Sequence, residues 1–142
     1  MQKNQKGFTI IELIVVIAII AVLATIVMIN VTSYIAKSRD SAIKGNLAGA
    51  MTGFAMYAET NTTGITACAD ANVSTPYNAA AALSGAESCA DGVTGGGFCA
   101  CAQLLSDTTK YFCVDSAGHK TETTVACSTD CVDGTDIVCD GL

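Results

Sequence analysis

Eight cysteines, every one after residue 60, are the densest chemical signal in this chain of 142 residues. Cys68, Cys89, Cys99, Cys101, Cys113, Cys127, Cys131 and Cys139 read as a disulfide framework formed in an oxidising compartment. The spacings Cys99-x-Cys101 and Cys127-x-x-x-Cys131 would also suit a zinc site, but the paired C-x-x-C arrangement is missing and the chain has a single histidine. Four bridges are therefore expected. Eight thiols allow about 105 pairings, so the connectivity stays open. Alternate residues of one strand rarely meet bridge geometry, so Cys99 and Cys101 should have different partners. A second cluster is acidic: Asp130, Asp133, Asp136 and Asp140 crowd the C-terminal stretch. Oxygen-rich loops of this kind can hold calcium, yet the spacing is not that of an EF-hand, and a solvated acidic surface is the simpler reading. No cofactor is expected. His119 follows Gly118 in a turn sequence, without the G-x-S-x-G elbow a hydrolytic nucleophile would occupy. It reads as a turn residue, and the chain does not read as an enzyme.

The remaining reactive group is Glu12. It is the one charge in residues 8–31, FTIIELIVVIAIIAVLATIVMINV, and residues 13–29 carry none. As a helix the run would extend roughly 26–36 Å, close to the ~30 Å hydrocarbon thickness of a bilayer. Its Ile and Val content favours strand mildly, but in lipid the backbone must bond to itself, so a membrane-spanning helix is expected. A carboxylate buried there normally has a partner. One candidate is the helix's own N-terminus, where the macrodipole favours an anion. The other is a cation: if the chain were cut after Gly7, Phe8 would bear a free α-amine, and the amine of a neighbouring copy could meet Glu12. The preceding residues 1–7 are short and basic, like the leader of an export signal, but no good small-residue cleavage site follows the apolar run.

After residue 31 the hydropathy becomes periodic. Val31, Ile35, Ile43, Leu47, Met51, Phe54 and Ala58 share a stripe, with Arg39 at its gap, while Lys37, Asp40, Lys44 and Asn46 fall on other faces. This predicts an amphipathic helix continuous with the apolar one, over residues 32–58. Gly45, Gly49 and Gly53 recur every fourth residue and predict close packing on one face. Residues 59–142 form the cysteine-rich head. Residues 60–97 read as a long loop pinned by Cys68 and Cys89, with a short helix at 78–83. Residues 98–105, 110–115 and 119–125 have strand character and are separated by good turn sequences. The expected fold class is therefore α+β: a long N-terminal helix packed on a small, disulfide-rich antiparallel meander, with Tyr111 and Cys113 facing Leu47, Met51 and Phe54.

Charge separates the two halves. The net charge is −6, and residues 59–142 alone carry −9, which argues against direct binding of nucleic acid. Lysine and arginine flank the apolar run on both sides and barely decide its orientation. The cysteines do, by placing the head outside and the N-terminus in the cytoplasm.

The segment Lys6-Gly7-Phe8-Thr9-Ile10-Ile11-Glu12-Leu13, followed by the apolar run, resembles the processing and methylation site of type IV prepilins and type II secretion pseudopilins. The resemblance covers about residues 1–58. It implies a leader over residues 1–7, cleavage after Gly7 by a prepilin peptidase, N-methylation of Phe8, and a pilin-like ladle. It further implies self-assembly by a membrane assembly machinery, with Glu12 neutralising a neighbour's N-terminal amine. Many members of that family carry helix-breaking Gly and Pro residues where this chain has Ala21 and Ile29, so a straighter helix is expected here.

The expected function is that of a type IV pilus subunit serving adhesion, motility or DNA uptake, held as a single-pass membrane protein before assembly and extracellular afterwards. The alternative is a pseudopilin of a type II secretion system. A third reading is a membrane-anchored, cysteine-rich binding domain that never polymerises.

Overall fold

The structure is a computed structural model that describes residues 7–61, 66–85, 87–92, 97–131 and 138–139, the side chains of Ile29 and Asp130 excepted. The chain divides into two units, Met1–Ile35 and Ala36–Leu142. One helix, α1 (Ile10–Thr60), contributes to both.

In the first unit α1 is helical without interruption, through Ala21 and residue 29 alike. Neither position holds a residue that breaks a helix, and the expected absence of a break is what the backbone shows. Every described side chain of residues 7–35 is exposed. Two of the polar ones bond to their own helix: Thr25 Oγ1 donates to the Val22 carbonyl at 2.7 Å, and Asn30 Nδ2 donates to that of Ile26 at 3.2 Å. Bonds of this kind let a polar side chain enter an apolar surrounding with its donor met.

The second unit folds around residues 36–60 of α1. Its sheet is an antiparallel meander in the order β1 (Glu87–Asp91), β2 (Phe98–Gln103), β3 (Tyr111–Asp115), β4 (Lys120–Thr123). Three of these strands match expectation. β1 lies within the stretch expected to be loop, and the short helix expected at 78–83 is found as α2 (Ala71–Ala81), longer and starting seven residues earlier.

Alternation of side chains gives the sheet two buried faces. Phe98, Ala100, Ala102, Phe112 and Val114 pack with Ile43, Leu47, Ala50, Phe54 and Tyr57 of α1. The rings of Phe54 and Phe98 stack with centroids 5.2 Å apart. On the opposite face Cys99, Cys101, Cys113 and Tyr111 meet Cys127, Cys131 and Cys139. The expectation that Tyr111 and Cys113 face the helix is therefore corrected by one residue. With a period of two, such a slip moves every side chain to the other face. Phe112 and Val114 take the helix side, and the cysteines face the C-terminal segment to which they are bonded.

The helix stripe also needs correction. Asp40, expected on a solvated face, is only 5% exposed, whereas Val31, Ile35 and Ala58 are exposed. Asp40 accepts hydrogen bonds from Leu105 N at 2.6 Å, from Ser106 N at 3.1 Å and from the Ser106 hydroxyl. It thereby ties α1 to the turn between β2 and β3. Burial pushes its carboxyl up, but the Ser106 hydroxyl, the two backbone N–H groups and the charge of Lys44 outweigh that and hold it below the ordinary carboxylate value.

Gly53 has a specific steric reason. A Cβ placed there would lie 2.0 Å from the Asn72 carbonyl oxygen, and one at Gly49 would lie 3.4 Å from Pro76 Cβ. Pro76, inside α2, has no N–H to give to the Asn72 carbonyl four residues earlier, and that oxygen is turned against α1. Gly45 faces open space, so the close packing expected of the glycine repeat holds at two of its three members.

Candidate functional site

Residues 7–9 precede the first helical turn, so Gly7 and Phe8 lie outside the helix, and Phe8 is 82% exposed. Thr9 and Glu12 then close the helix end on each other. Thr9 N and Thr9 Oγ1 both donate to Glu12 Oε2, at 2.8 and 2.7 Å, while Glu12 N donates to Thr9 Oγ1 at 3.3 Å. This reciprocal arrangement is a capping box, in which a threonine and a glutamate three residues later satisfy donors that the helix start leaves unpaired. Its signature, Thr9-x-x-Glu12, is plain in the sequence but is masked there by the two isoleucines between and by the apolar run behind. Of the two partners considered for Glu12, the helix's own N-terminus is the one present within a single chain. A cut after Gly7 would leave this box intact, because Thr9 N belongs to the bond between Phe8 and Thr9. The same carboxylate has a second oxygen with which to meet a cation.

The other chemically distinctive group is the set of cysteines. All eight are paired: Cys68–Cys89, Cys99–Cys131, Cys101–Cys127 and Cys113–Cys139. Cys99 and Cys101 have different partners, as strand geometry requires. Three bridges fasten the segment after β4, which includes the short helix α3 (Cys127–Asp130), onto β2 and β3. Cys99 Sγ also lies 3.6 Å from Cys113 Sγ and 3.7 Å from Cys139 Sγ, so two bridges pack side by side in a dry layer. These sulfurs are disulfide sulfurs, not the thiolates a metal would need.

A family model described as the prokaryotic N-terminal methylation motif matches residues 2–28. The chain carries the type IV pilin and pseudopilin signature. Neither a curated protein nor a solved structure matches the chain. The pilin-type motif implies processing by a prepilin peptidase and points to a structural subunit rather than an enzyme. The apolar part of α1 is long and apolar enough to cross a membrane, which fits a membrane-anchored pilin before assembly.

The buried carboxylate of Asp115 and the exposed imidazole of His119 form a pair that the sequence did not reveal. Asp115 is fully buried and accepts from Ala117 N, His119 N and Cys139 N, each at 2.9 Å. His119 Nδ1 is 2.7 Å from Asp115 Oδ2, and since an ionised carboxylate can only accept, Nδ1 carries the proton. Burial raises the Asp115 carboxyl, but the hydrogen bonds from Cys139 and His119 outweigh it and leave it below its ordinary value. The pair closes the β3–β4 turn, where Gly118 has φ +97°, and pins the chain at Cys139. His119 is the turn residue expected, with an anchoring task in addition. The weak calcium candidates, the carboxylates of Asp130, Asp133, Asp136 and Asp140, lie outside the described residues.

Proposed function

We propose that this chain is the structural subunit of a helical filament of the type IV pilus kind, polymerised through residues 8–31. The observation that carries the reading is the exposure of every described apolar side chain between residues 8 and 35, behind a charged helix start. Burying apolar surface contributes about 25 cal/mol per Å². A helix apolar on all sides needs either lipid or other copies of itself. Transfer from bilayer to a bundle of like helices keeps that burial, and one heterologous contact repeated without closure builds an open polymer.

In this scheme the prepilin peptidase cuts after Gly7, Phe8 becomes the methylated N-terminus, and Glu12 neutralises the Phe8 amine of an adjacent copy. The N-terminus begins on the cytoplasmic side and the disulfide-bonded head outside. The filament would serve adhesion, motility or DNA uptake, the last without direct contact between the −9 head and DNA. A pseudopilus of a type II secretion system uses the same N-terminal chemistry and is the alternative. Four disulfides favour the surface pilus, where resistance to proteases matters most.

Mass spectrometry of the mature N-terminus tests the reading, and a methylated Phe8 is expected. Met1 retained on every copy, with Glu12→Ala protein still polymerising normally, would overturn this scheme, whereas Met1 retained with no filament formed would leave the non-polymerising anchored domain. Electron microscopy of the sheared fraction separates long surface filaments from a short periplasmic one.

A further inference from the structure

We propose that Lys37 and Arg39 are the stem half of an ionic contact whose other half is the acidic head of a neighbouring copy. The inference rests on the polymerisation reading above and names a second contact for it, apart from the apolar one.

The side chains of residues 8–58, the stem left by a cut after Gly7, carry a net +1, and residues 59–142 a net −9. Identical heads of that charge repel one another when packed closely, so a filament needs cations set among them. The helical segment of the second unit has three cations. Lys44 is already committed within the chain, with Nζ 2.6 Å from Glu122 Oε1 and 5.8 Å from the centre of the Phe112 ring. Lys37 and Arg39 are exposed, and neither forms an ion pair among the described residues. Lys44 thus demonstrates within one subunit the kind of pairing, stem cation to head carboxylate, that Lys37 and Arg39 would make between subunits.

Their spacing suits that role. Two residues apart on a helix of 3.6 residues per turn, the side chains leave the axis roughly 160° apart. They flank the stripe of Asp40, Ile43 and Leu47 that faces the chain's own head. One cation is therefore offered to each side of the subunit, and in an open helical polymer each side has a neighbour. Glu59, in the last turn of α1, and Glu87, at the start of β1, are exposed carboxylates of the acidic residues 59–142 with no ion pair among the described residues, and they are the acceptors assigned here.

Anionic lipid is the competing partner for basic residues near a membrane span. The apolar run ends at residue 31, which puts Lys37 about 9 Å further along the helix. The headgroup layer adds only about 5–8 Å on each side of the hydrocarbon. The cations stand beyond it, and the geometry points to protein.

The test uses the full chain in cells that assemble it. Lys37→Glu with Arg39→Glu should cut sheared filament about tenfold relative to membrane-held subunit. Methylated Phe8 and the thermal midpoint of the head should stay unchanged. Glu59→Lys with Glu87→Lys should do the same, and co-expression of the two variants should restore filaments, because each supplies the charge the other lacks. Should the reversed charges impair folding, Lys37→Gln with Arg39→Gln, which adds no repulsion, should still lower filament yield and flatten its dependence on salt. Unaltered yield in both stem variants overturns the proposal, as does failure of the co-expressed pair to restore filaments. Loss of binding to anionic vesicles with filament yield unaltered overturns it in favour of lipid. An unmodified chain that forms no filament and keeps Met1 removes the polymerisation reading and this contact together.

Discussion

The two units of this protein solve the problem of burying apolar surface in opposite ways. Residues 36–142 bury theirs internally, between α1 and one face of a four-stranded sheet, and they cover the other face with disulfides instead of a second apolar layer. Residues 7–35 bury nothing, and their helix satisfies only its own backbone and the ends of some of its polar side chains. The contrast teaches where each unit obtains its stability. The head is complete within one chain, whereas the apolar helix is completed only by what surrounds it.

Reduction is the strongest way to break that comparison. Each native bridge in a small domain contributes about 2–5 kcal/mol, against a total stability of only about 5–15 kcal/mol. A thiol reductant in detergent should therefore unfold the head at 37 °C, seen as loss of near-ultraviolet dichroism. The apolar half of α1 should keep its slowly exchanging amides, and a parallel collapse of both units would show that they are not independent.

Next comes Asp40→Ala, which should cost about 1–2 kcal/mol because it takes the shared acceptor from Leu105 N and the Ser106 donors in a half-buried turn. Urea midpoints of the isolated subunit would measure it. The same experiment as a function of pH has a definite sign. The carboxyls of Asp40 and Asp115 titrate below their ordinary value in the folded protein, so their contribution is complete above about pH 4. It is lost as the pH falls through their lower folded values. Asp40→Asn should flatten that acid limb, and a limb as steep as in the parent protein would assign it to other groups.

Glycine substitutions sharpen the comparison further. Gly53→Ala should cost about 1–3 kcal/mol, because the added methyl meets a backbone oxygen that cannot swing away. Gly45→Ala meets nothing and should gain about 0.5–1 kcal/mol from helix propensity. Thermal melts of the two variants should therefore move in opposite directions. Smallest of all is Thr9→Val, which removes one side of the capping box. Faster amide exchange confined to the first turn is expected, with the head unaffected.

What the sequence disclosed follows from how local each signal is. The apolar helix is visible because its hydropathy needs no partner to be interpreted, and the strands around Cys99 and Cys113 are bounded by strong turns. Only the end of α2 was foreseen, because the preceding Ala-Asn-Val-Ser-Thr-Pro-Tyr-Asn has little apolar periodicity and a proline within it. β1, Glu-Ser-Cys-Ala-Asp, is a strand through its pairing with β2 rather than through the preference of its residues. Asp40 was assigned to solvent because its partners lie 65 and 66 residues away, beyond any local pattern. At the N-terminus the motif residues were legible and the helix end was considered as a partner for Glu12, while Thr9 as the residue that supplies it was overlooked although both members of the box stand in plain order.

The order of the cysteines along the chain has a consequence for biogenesis. Cys101 lies directly opposite Cys113 in the sheet register, yet their partners, Cys127 and Cys139, are translated later. An oxidase acting on thiols in order of arrival would trap the strand neighbours with each other. Reaching the mature framework therefore requires either that oxidation wait until residue 139 has joined the rest or that a thiol exchange catalyst undo early mistakes. The layer that makes the head durable also makes it late to mature.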